Sequence, residues 1–263
     1  MGAIEIERTP GVARVWLNRP DVHNAFNAEV ITGLDEALES LGDDPEVRVI
    51  VLGGRGRSFS AGADLKWMIA AADLSEAENA ADAARLAAML RRLAELPQAT
   101  IARIQGTALG GGLGLLSACD VAVSIERAKF GFSEARLGLI PAVISPHAIA
   151  RIGPAKARAL FVTGRRIMAG EALACGLIDQ VVEDEAALDA AVDAAVQDVL
   201  ACAPGAVAAC KTLIARVARG GSVAEVDAFT SSQIAARRAS DEGREGIAAF
   251  LGKRNPAWTH EQD

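Results

Sequence analysis

The chain has few aromatic residues and no tyrosine. Aromatic side chains make up 4% of its 263 residues, whereas hydrophobic residues as a whole make up 51%. A core of this composition has to be built from Ala, Val, Leu and Ile, and the 25 glycines allow backbone segments to approach closely. We expect one main aliphatic core with an appended element, because the chain is long for one domain and short for two.

Cysteine and histidine are also scarce, and neither forms a metal-binding pattern. No CxxC pair occurs and the surroundings are apolar, which indicates small core residues in a reducing compartment; the four cysteines are Cys119, Cys175, Cys202 and Cys210. The three histidines are scattered without a nearby Cys or carboxylate pattern: His23, His147 and His260. The sequence therefore predicts neither disulfides nor a metal site.

An excess of positive charge is missing. The chain has 27 Lys+Arg against 34 Asp+Glu, a formal net charge of −7, which argues against nucleic acid or an anionic membrane as a partner. Residues 1–8 carry no targeting pattern, and the longest apolar stretch, residues 110–125, is interrupted by Asp120. We expect a soluble cytoplasmic protein.

Several catalytic motifs are absent as well. The sequence contains no GxSxG, HExxH or Walker A pattern. The absence of GxSxG argues against a catalytic triad with a serine nucleophile in that motif, and the absence of HExxH argues against hydrolysis by a zinc enzyme. Residues 54–59 (GRGRSF) follow a predicted strand but lack a third glycine and a following helix. A plain loop is therefore favoured there over a dinucleotide site.

What the sequence does contain is an alternation of strand and helix patterns. Apolar runs predict strands over residues 4–7, 12–17, 47–52, 100–104, 121–124 and 129–132. Three- and four-residue apolar spacing predicts helices over residues 28–41, 75–96 and 111–119, the first with Asn27 as its N-cap. This alternation predicts an α/β fold built from successive crossover units.

The last part of the chain has a different character. From Ala186 onward only helical spacing is found, with breaks at residues 203–204, 220–221 and 241–243. These helices are too few to enclose a core, so they should pack on the main domain or on another subunit. The predicted division is a core over residues 1–190 and a helical region over residues 191–263.

Two glycine-bearing turns follow predicted strands, at residues 58–65 and 106–112. A glycine within a helix costs roughly 1 kcal/mol relative to alanine, so the run at residues 110–112, which opens a helix, needs a reason. One reason is that N–H groups of both turns meet as an oxyanion hole for a carbonyl oxygen. The other is tight turns and close helix packing, and the turns alone favour neither.

The order of the motifs along the chain is more specific than any one of them. The motifs are FSAGADLK (59–66), GTALGGG (106–112), ACD (118–120), FGFSE (130–134), LGLIP (137–141), LFVTG (160–164) and EGREG (242–246). Together they resemble the enoyl-CoA hydratase/isomerase (crotonase) superfamily over nearly the whole chain. The resemblance implies a crotonase-like ββα spiral core and a C-terminal helical region that assembles homotrimers, often hexamers.

The resemblance also implies roles for individual residues. The backbone N–H groups of Ala63 and Gly111 take the positions of the two oxyanion donors that bind the thioester carbonyl of an acyl-CoA. Residues expected to contact the substrate or its CoA part are Val22, His23, Ala61, Ala63, Asp64, Leu65, Lys66, Gly111 and Lys253. The two lysines are candidate phosphate partners, with a solvated surface lysine as the alternative for Lys66. No cofactor is expected, because coenzyme A is part of the substrate.

Only one of the two family glutamates is present. The first position is Gly114 and the second is Glu134, which is the carried-over general acid/base. The alternative for Glu134 is a surface ion pair with Arg136. A single carboxylate suits isomerisation of a 3-enoyl-CoA to a 2-enoyl-CoA, because the same group removes a proton at one carbon and returns it at another.

The local sequence instead resembles that of bacterial methylglutaconyl-CoA and isohexenylglutaconyl-CoA hydratases. These carry a stretch like residues 142–146 (AVISP) after the proline that corresponds to Pro141. The expected function is therefore hydration of a 2-enoyl-CoA, such as a branched or carboxylated one like 3-methylglutaconyl-CoA, with the isomerase as alternative. A non-catalytic RNA-binding relative is disfavoured by the net charge of −7. Acyl-chain choice is expected to depend on loops at residues 67–72 and 142–147, with Trp67 and Met68 as pocket candidates and core packing as their alternative.

Overall fold

The computed structural model describes residues 2–259, which contain ten strands and ten α-helices. The strands are β1 (Ile4–Thr9), β2 (Val12–Leu17), β3 (Val49–Gly54), β4 (Ser58–Ser60), β5 (Ala99–Ile104), β6 (Thr107–Leu109), β7 (Val121–Ile125), β8 (Lys129–Gly131), β9 (Arg166–Met168) and β10 (Gln180–Val182). The helices are α1 (Ala28–Gly42), α2 (Leu65–Ala72), α3 (Glu76–Glu95), α4 (Gly111–Ala118), α5 (Ser145–Thr163), α6 (Ala169–Ala174), α7 (Glu185–Leu200), α8 (Pro204–Ala218), α9 (Val223–Ala239) and α10 (Asp241–Leu251). His260 lies outside the described residues.

The strands form two sheets that the chain visits in turn. The larger sheet has the order β1-β2-β3-β5-β7-β10, and the smaller one has the order β4-β6-β8-β9. The pairs β3·β5 and β5·β7 are parallel in the first sheet, and β4·β6 and β6·β8 are parallel in the second. Three successive turns of the chain, which begin at β3, β5 and β7, thus each supply one strand to each sheet and then a helix, which confirms the predicted α/β spiral of ββα units.

Most of the predicted elements form for local reasons. The Asn27 side chain accepts a hydrogen bond from the backbone N–H of Val30 at 3.0 Å, which confirms it as the N-cap of α1. The apolar residues whose three- and four-residue spacing predicted α1 are all buried: Val30, Ile31, Leu34, Leu38 and Leu41. Strands β3 and β5 are buried over their full length, because other layers cover both of their faces.

Residues 67–72, predicted as a loop, belong to helix α2. The helix forms there because Oδ1 of Asp64 accepts a hydrogen bond from the backbone N–H of Lys66 at 2.9 Å. Asp64 is itself buried and forms an ion pair with Arg19 at 2.9 Å. The loop prediction was wrong because this N-cap lies inside a motif that we interpreted only as a substrate-contacting turn.

The prediction that all four cysteines are core residues was wrong for two of them. Cys119 is buried and Cys175 is half-buried, but Cys202 and Cys210 are exposed. Cys202 follows the end of α7, and Cys210 lies on α8, a helix with no buried residue. Burial raises the pKa of the Cys119 thiol to about 12, so this thiol stays protonated at neutral pH.

The C-terminal region is helical, as predicted. Helix α7 packs on β5 and β7 through its buried residues Leu188, Val192 and Val196. The division at residues 190 and 191 stays a prediction. Among residues 2–259, no single helix is both long and apolar enough to cross a bilayer; α7 and α8 meet that requirement only as a pair, bent by 100°.

One arginine of the core holds the C-terminal region in place. The Arg48 guanidinium donates hydrogen bonds to the carbonyl oxygens of Leu200 at 3.0 Å, Cys202 at 2.5 Å and Trp258 at 2.8 Å. Two of these carbonyls follow or end α7, where the last turn leaves carbonyl groups without intrahelical partners. Arg48 therefore joins the end of α7 and the last described residues to the start of β3.

We expect the substitution Arg48→Met to lower the free energy of unfolding by about 2–4 kcal/mol, because charge-assisted hydrogen bonds are lost and half-buried carbonyls are left unpaired. Urea denaturation measures this difference. The exposed Arg158 on α5 provides the matched control, since Arg158→Met should change the stability by less than about 0.5 kcal/mol. Equal effects of the two substitutions would contradict the anchoring role.

Candidate active site

The two glycine-bearing turns of the sequence lie against each other. Gly62 has φ 88° and Gly110 has φ 47°, both in the left-handed region that favours glycine. A Cβ atom placed on Gly62 would lie 2.9 Å from the carbonyl oxygen of Leu109, and one placed on Gly110 would lie 3.7 Å from the Cα of Gly62. The backbone approach excludes a side chain at Gly62, whereas at Gly110 the contact with Gly62 is an ordinary van der Waals contact and the positive φ disfavours a side chain.

The first turn leaves one backbone N–H group unused. Phe26 forms a parallel bridge with Ala63, in which the Phe26 N–H donates to Gly62 O at 2.7 Å and the Asp64 N–H donates to Phe26 O at 2.7 Å. These bonds use the groups on either side of Ala63 and not its own N–H. Within residues 2–259, the Ala63 N–H has no acceptor.

The second turn also leaves one backbone N–H group unused. Gly111 is the first residue of α4, where an N–H has no acceptor within the helix. The preceding Gly110 N–H is occupied, because it donates to the carbonyl oxygen of Gly131 at 3.1 Å. Ala63 and Gly111 thus each follow one of the two touching glycines and each have a free donor. Two such donors can stabilise one oxygen that gains negative charge.

A cavity of about 360 Å³ opens beside these donors. The lining of the cavity is mostly apolar, and Glu134 is the one charged side chain among the described lining residues. The lining residues are Phe26, Ala61, Gly62, Ala63, Trp67, Met68, Ala83, Leu86, Gly110, Gly111, Ser133, Glu134, Leu137, Leu139, Ile140, Pro141, Ala142, Val143 and Ile144. Trp67 and Met68 therefore line a pocket, as one of their two interpretations predicted. A cavity of this size and polarity fits a small apolar group with few polar contacts.

Glu134 begins a short 3₁₀ turn (Glu134–Leu137) that follows β8. Its Oε1 atom lies 3.1 Å from the place where a Cβ on Gly110 would be, so the carboxyl group lies against the second glycine turn. The Oε2 atom is buried and has no hydrogen-bond partner in the described part of the chain. The alternative ion pair with Arg136 is not formed, because that guanidinium donates to Gly164 O at 2.7 Å.

The surroundings of Glu134 change its acidity. Burial among apolar groups raises the pKa of its carboxyl group above the ordinary value, because the charged form loses hydration and no cation compensates for it. A carboxyl group with a raised pKa can release and take up a proton nearer neutral pH, as a general acid or base requires. The side chain therefore combines position, access to the cavity and a suitable acidity.

The position that lacks the first family glutamate is also buried. Gly114 lies on α4. The side chain nearest to it is that of Ile144, which precedes α5 and lines the cavity. No described carboxylate stands in its place. Among residues 2–259, no group of three or more His, Cys, Asp or Glu side chains is arranged to hold a metal ion.

The predicted substrate-contacting residues divide into those at the cavity and those outside it. Ala61 lines the cavity, and its N–H donates to His23 O at 2.9 Å, which brings residues 22–26 beside the first turn. Leu65 and Lys66 are exposed at the start of α2. Burial acts to raise the pKa of Asp64, but hydrogen bonds from Arg19 and Lys66 outweigh it and leave that pKa lowered, so Asp64 stays ionised as a cap.

Three further expected contacts lie away from the cavity lining: Val22, His23 and Lys253. The Val22 side chain is exposed and the His23 ring nitrogen Nδ1 lies 3.1 Å from Ser58 Oγ. Lys253 is exposed just after α10. The sequence did not indicate Phe26, Ala83 or Leu86 as lining residues, because an apolar residue that faces a cavity has the same pattern as one that faces the core.

Comparison with known proteins assigns this geometry to a family. The sequence profile described as "Enoyl-CoA hydratase/isomerase" matches residues 7–261. The chain belongs to the enoyl-CoA hydratase/isomerase family. The putative enoyl-CoA hydratase of Thermus thermophilus is 36% identical over 247 residues, which cover 93% of this chain and 96% of that protein. The probable enoyl-CoA hydratase echA8 of Mycobacterium tuberculosis is 36% identical over 268 residues, which cover 98% of both.

Solved structures of the family have the same fold. An enoyl-CoA hydratase from Shewanella pealeana superposes with a TM-score of 0.94 at 38% identity, with 97% of this chain and 96% of that chain covered. Pseudomonas aeruginosa AtuE superposes with a TM-score of 0.93 at 35% identity, with coverage of 98% and 100%. The crotonase-like fold predicted from the motifs is thereby confirmed, and the protein is an enzyme of the hydratase/isomerase family.

Proposed function

We propose that this family member hydrates the double bond of a 2-enoyl-CoA. The thioester carbonyl accepts hydrogen bonds from the free N–H groups of Ala63 and Gly111, and Glu134 handles the protons. The single observation that carries the proposal is the half-buried carboxyl group of Glu134, whose buried Oε2 atom has no described partner, beside two free donors in an apolar cavity. Several relatives at about 36% identity are named enoyl-CoA hydratases, which supports hydration in particular.

The proposed reaction can proceed with one carboxylate. The Glu134 carboxylate takes a proton from water while the water oxygen forms a bond to C3, and the π electrons of the C2–C3 bond move into the thioester as an enolate. Ala63 and Gly111 hold the negative enolate oxygen. The protonated Glu134 then delivers its proton to C2, which restores the carbonyl and the ionised carboxylate.

The lining supports an uncharged acyl chain, straight or branched. The cavity offers apolar side chains and, in the described residues, no Lys, Arg or His. A carboxylated chain such as 3-methylglutaconyl would place a second negative charge near Glu134 without a cation, which is costly in an apolar cavity. We therefore place an uncharged apolar 2-enoyl-CoA, straight or branched, first and 3-methylglutaconyl-CoA second.

One observation favours a second candidate function, the conversion of a 3-enoyl-CoA to a 2-enoyl-CoA. Glu134 is the one carboxylate among the described lining residues. Isomerisation needs a single group that removes a proton from C2 and returns it at C4, while the same oxyanion donors hold the dienolate. No water has to be positioned for this reaction, so isomerisation does not need a second glutamate.

The two functions differ in the direction of the absorbance change of the conjugated enoyl thioester. The purified protein is incubated with crotonyl-CoA, 3-methylcrotonyl-CoA, 3-methylglutaconyl-CoA and 3-hexenoyl-CoA. Hydration consumes the conjugated chromophore of the first three, and isomerisation of the last creates it. Loss of the chromophore of any of the first three supports hydration, with 3-methylglutaconyl-CoA alone reversing the order of acyl chains, and turnover of 3-hexenoyl-CoA alone establishes the isomerase. A folded protein that turns over none of them refutes both.

The CoA moiety is proposed to run from the first turn across the exposed residues beside it. Val22, His23, Leu65 and Lys66 surround the outer side of that turn. Lys253 is proposed to reach CoA phosphates bound by a neighbouring subunit. The exposed apolar side chains of the C-terminal helices support self-association into trimers or hexamers: Ile214, Val217, Val223, Ile234, Ile247, Phe250 and Leu251.

We expect Lys66→Met to raise KM for the acyl-CoA about two- to fivefold and to leave kcat unchanged, because an exposed cation on a phosphate contributes only modest binding energy. Steady-state kinetics at low ionic strength measure the effect. Lys156→Met on the exposed surface of α5 is the control with the same change of charge. If both variants behave like the unmodified protein, Lys66 is a solvated surface lysine.

A further inference from the structure

Gly114 has no room for a side chain, and the main obstacle is Ile144. A Cβ atom on Gly114 would lie 2.5 Å from Cγ2 and 3.1 Å from Cβ of Ile144, and 3.2 Å from Cδ1 of Leu90. Contacts below 3.0 Å are not made by real Cβ atoms, because the van der Waals shells overlap. As long as Ile144 keeps its place, position 114 has to be glycine.

The direction of this contact matters for the cavity. Gly114 lies one helical turn after Gly111, on the same face of α4. Gly111 and Ile144 both line the cavity, whereas Gly114 does not. A side chain at position 114 would therefore enter the cavity through the space that Ile144 now fills.

The presence of isoleucine at position 144 is not explained by local structure. Ile144 is the N-cap residue of α5, and its side chain makes no capping hydrogen bond. Isoleucine is among the least suitable N-cap residues, whereas Gly, Ser, Asn and Asp are suitable. The side chain is nevertheless 3% exposed. A residue that is poor for its local position and fully packed in the tertiary structure indicates a role in packing against the site.

We infer that Ile144 and Gly114 form an interlocked pair that keeps a second carboxylate out of the cavity, so that Ile144 is a specificity-determining residue. The branched side chain forms an apolar wall where a glutamate at position 114 would otherwise project, and Glu134 works alone. This inference rests on the proposed function, because it explains which acid–base chemistry the same site carries out. Ile144 thereby biases the enzyme toward reactions that need one carboxylate.

The interlock itself is tested by thermal unfolding, which requires no activity. Gly114→Ala is expected to lower the Tm of the otherwise unmodified protein, because its Cβ meets Ile144. In an Ile144→Gly background the same substitution is expected to lower the Tm far less. The overlap with Ile144 is then gone, Cδ1 of Leu90 at 3.2 Å can move as the end of a side chain, and alanine is a better helix residue than glycine. Glycine is acceptable at an N-cap, so Ile144→Gly keeps the start of α5.

Val143→Gly is the matched control. Val143 lines the same cavity, but none of the three atoms nearest to a Cβ on Gly114 belongs to it. Gly114→Ala should still lower the Tm in this background. The inference is overturned if Gly114→Ala changes the Tm equally in all three backgrounds, since contacting residues should not be additive.

The chemical consequence is tested with the double variant Gly114→Glu/Ile144→Gly. Its ratio of crotonyl-CoA hydration to 3-hexenoyl-CoA isomerisation is expected to rise at least tenfold over that of Ile144→Gly alone, with a second ionisation in the pH profile of kcat/KM. An unchanged ratio and profile in the folded double variant overturn the specificity role. If the unmodified protein turns over none of the four enoyl-CoA substrates, the proposed function fails, and the Tm comparison still decides the interlock.

Discussion

Replacement of Glu134 by Gln is expected to lower kcat/KM about 10²- to 10⁴-fold for whichever enoyl-CoA the protein turns over. Gln keeps the size of the side chain but cannot take up or release a proton. The described lining offers no second carboxylate to substitute for it. Because the lost interaction is needed in the transition state, kcat should fall with kcat/KM while KM changes little.

The control is Glu36→Gln on the exposed face of α1, which removes the same charge away from the cavity. This variant should keep its activity within about twofold. Full activity of Glu134→Gln in a folded sample would show that another group moves the proton, and the assignment of Glu134 would then be wrong.

The same substitution should also change the pH dependence of stability. The folded protein holds the pKa of Glu134 above its ordinary value of 4.5 because of burial. Such a group favours the folded state most below its ordinary pKa, and this contribution is lost as the pH rises through the raised pKa. Glutamine does not titrate, so the Tm of Glu134→Gln should exceed that of the unmodified protein at pH 7 to 8. The difference should shrink as the pH is lowered toward 4.5, and Tm measurements across this range check it.

The second large effect is expected from Gly110→Ala, which should lower kcat about 10²- to 10³-fold. Gly110 has φ 47° and ψ −116°, a combination that residues with a side chain rarely adopt. The added Cβ would also lie 3.1 Å from Oε1 of Glu134. Relief of both strains moves the backbone that carries the Gly111 N–H and displaces the carboxyl group, so an oxyanion donor and the proton-transfer group lose their geometry together.

Gly220→Ala separates backbone strain from damage to the site. Gly220 also has a positive φ, 74°, but no atom lies within 4 Å of its Cβ position, and it is in the turn between α8 and α9. Its replacement should cost about 1–2 kcal/mol of stability and leave the kinetics unchanged. Circular dichroism and steady-state kinetics on both variants check this. A Gly110→Ala variant that is as active as Gly220→Ala would contradict the proposed oxyanion arrangement.

The alternation of strands and helices could be predicted because each element depends on neighbouring residues. The apolar spacing of α1 and its Asn27 cap lie within a few residues of each other, and both were found in the structure. The short strands β4 and β6 were not recognised, since three residues carry little periodicity. The sequence predicts a loop in place of helix α2, because the Asp64 cap lies within a glycine-bearing motif.

For the candidate site, the sequence by itself determined the components: the glycine turns, one glutamate, and glycine at position 114. Only the tertiary structure decided how they meet. The parallel pairs β4·β6 and β6·β8 place the ends of three successive strands side by side, so that Gly62 and Gly110 touch and Glu134 follows the next strand. The missing partner of Glu134 and the Ile144 side chain over Gly114 also appear only there. Local patterns depend on neighbours along the chain, whereas the register of a sheet brings together residues that no spacing in the sequence connects.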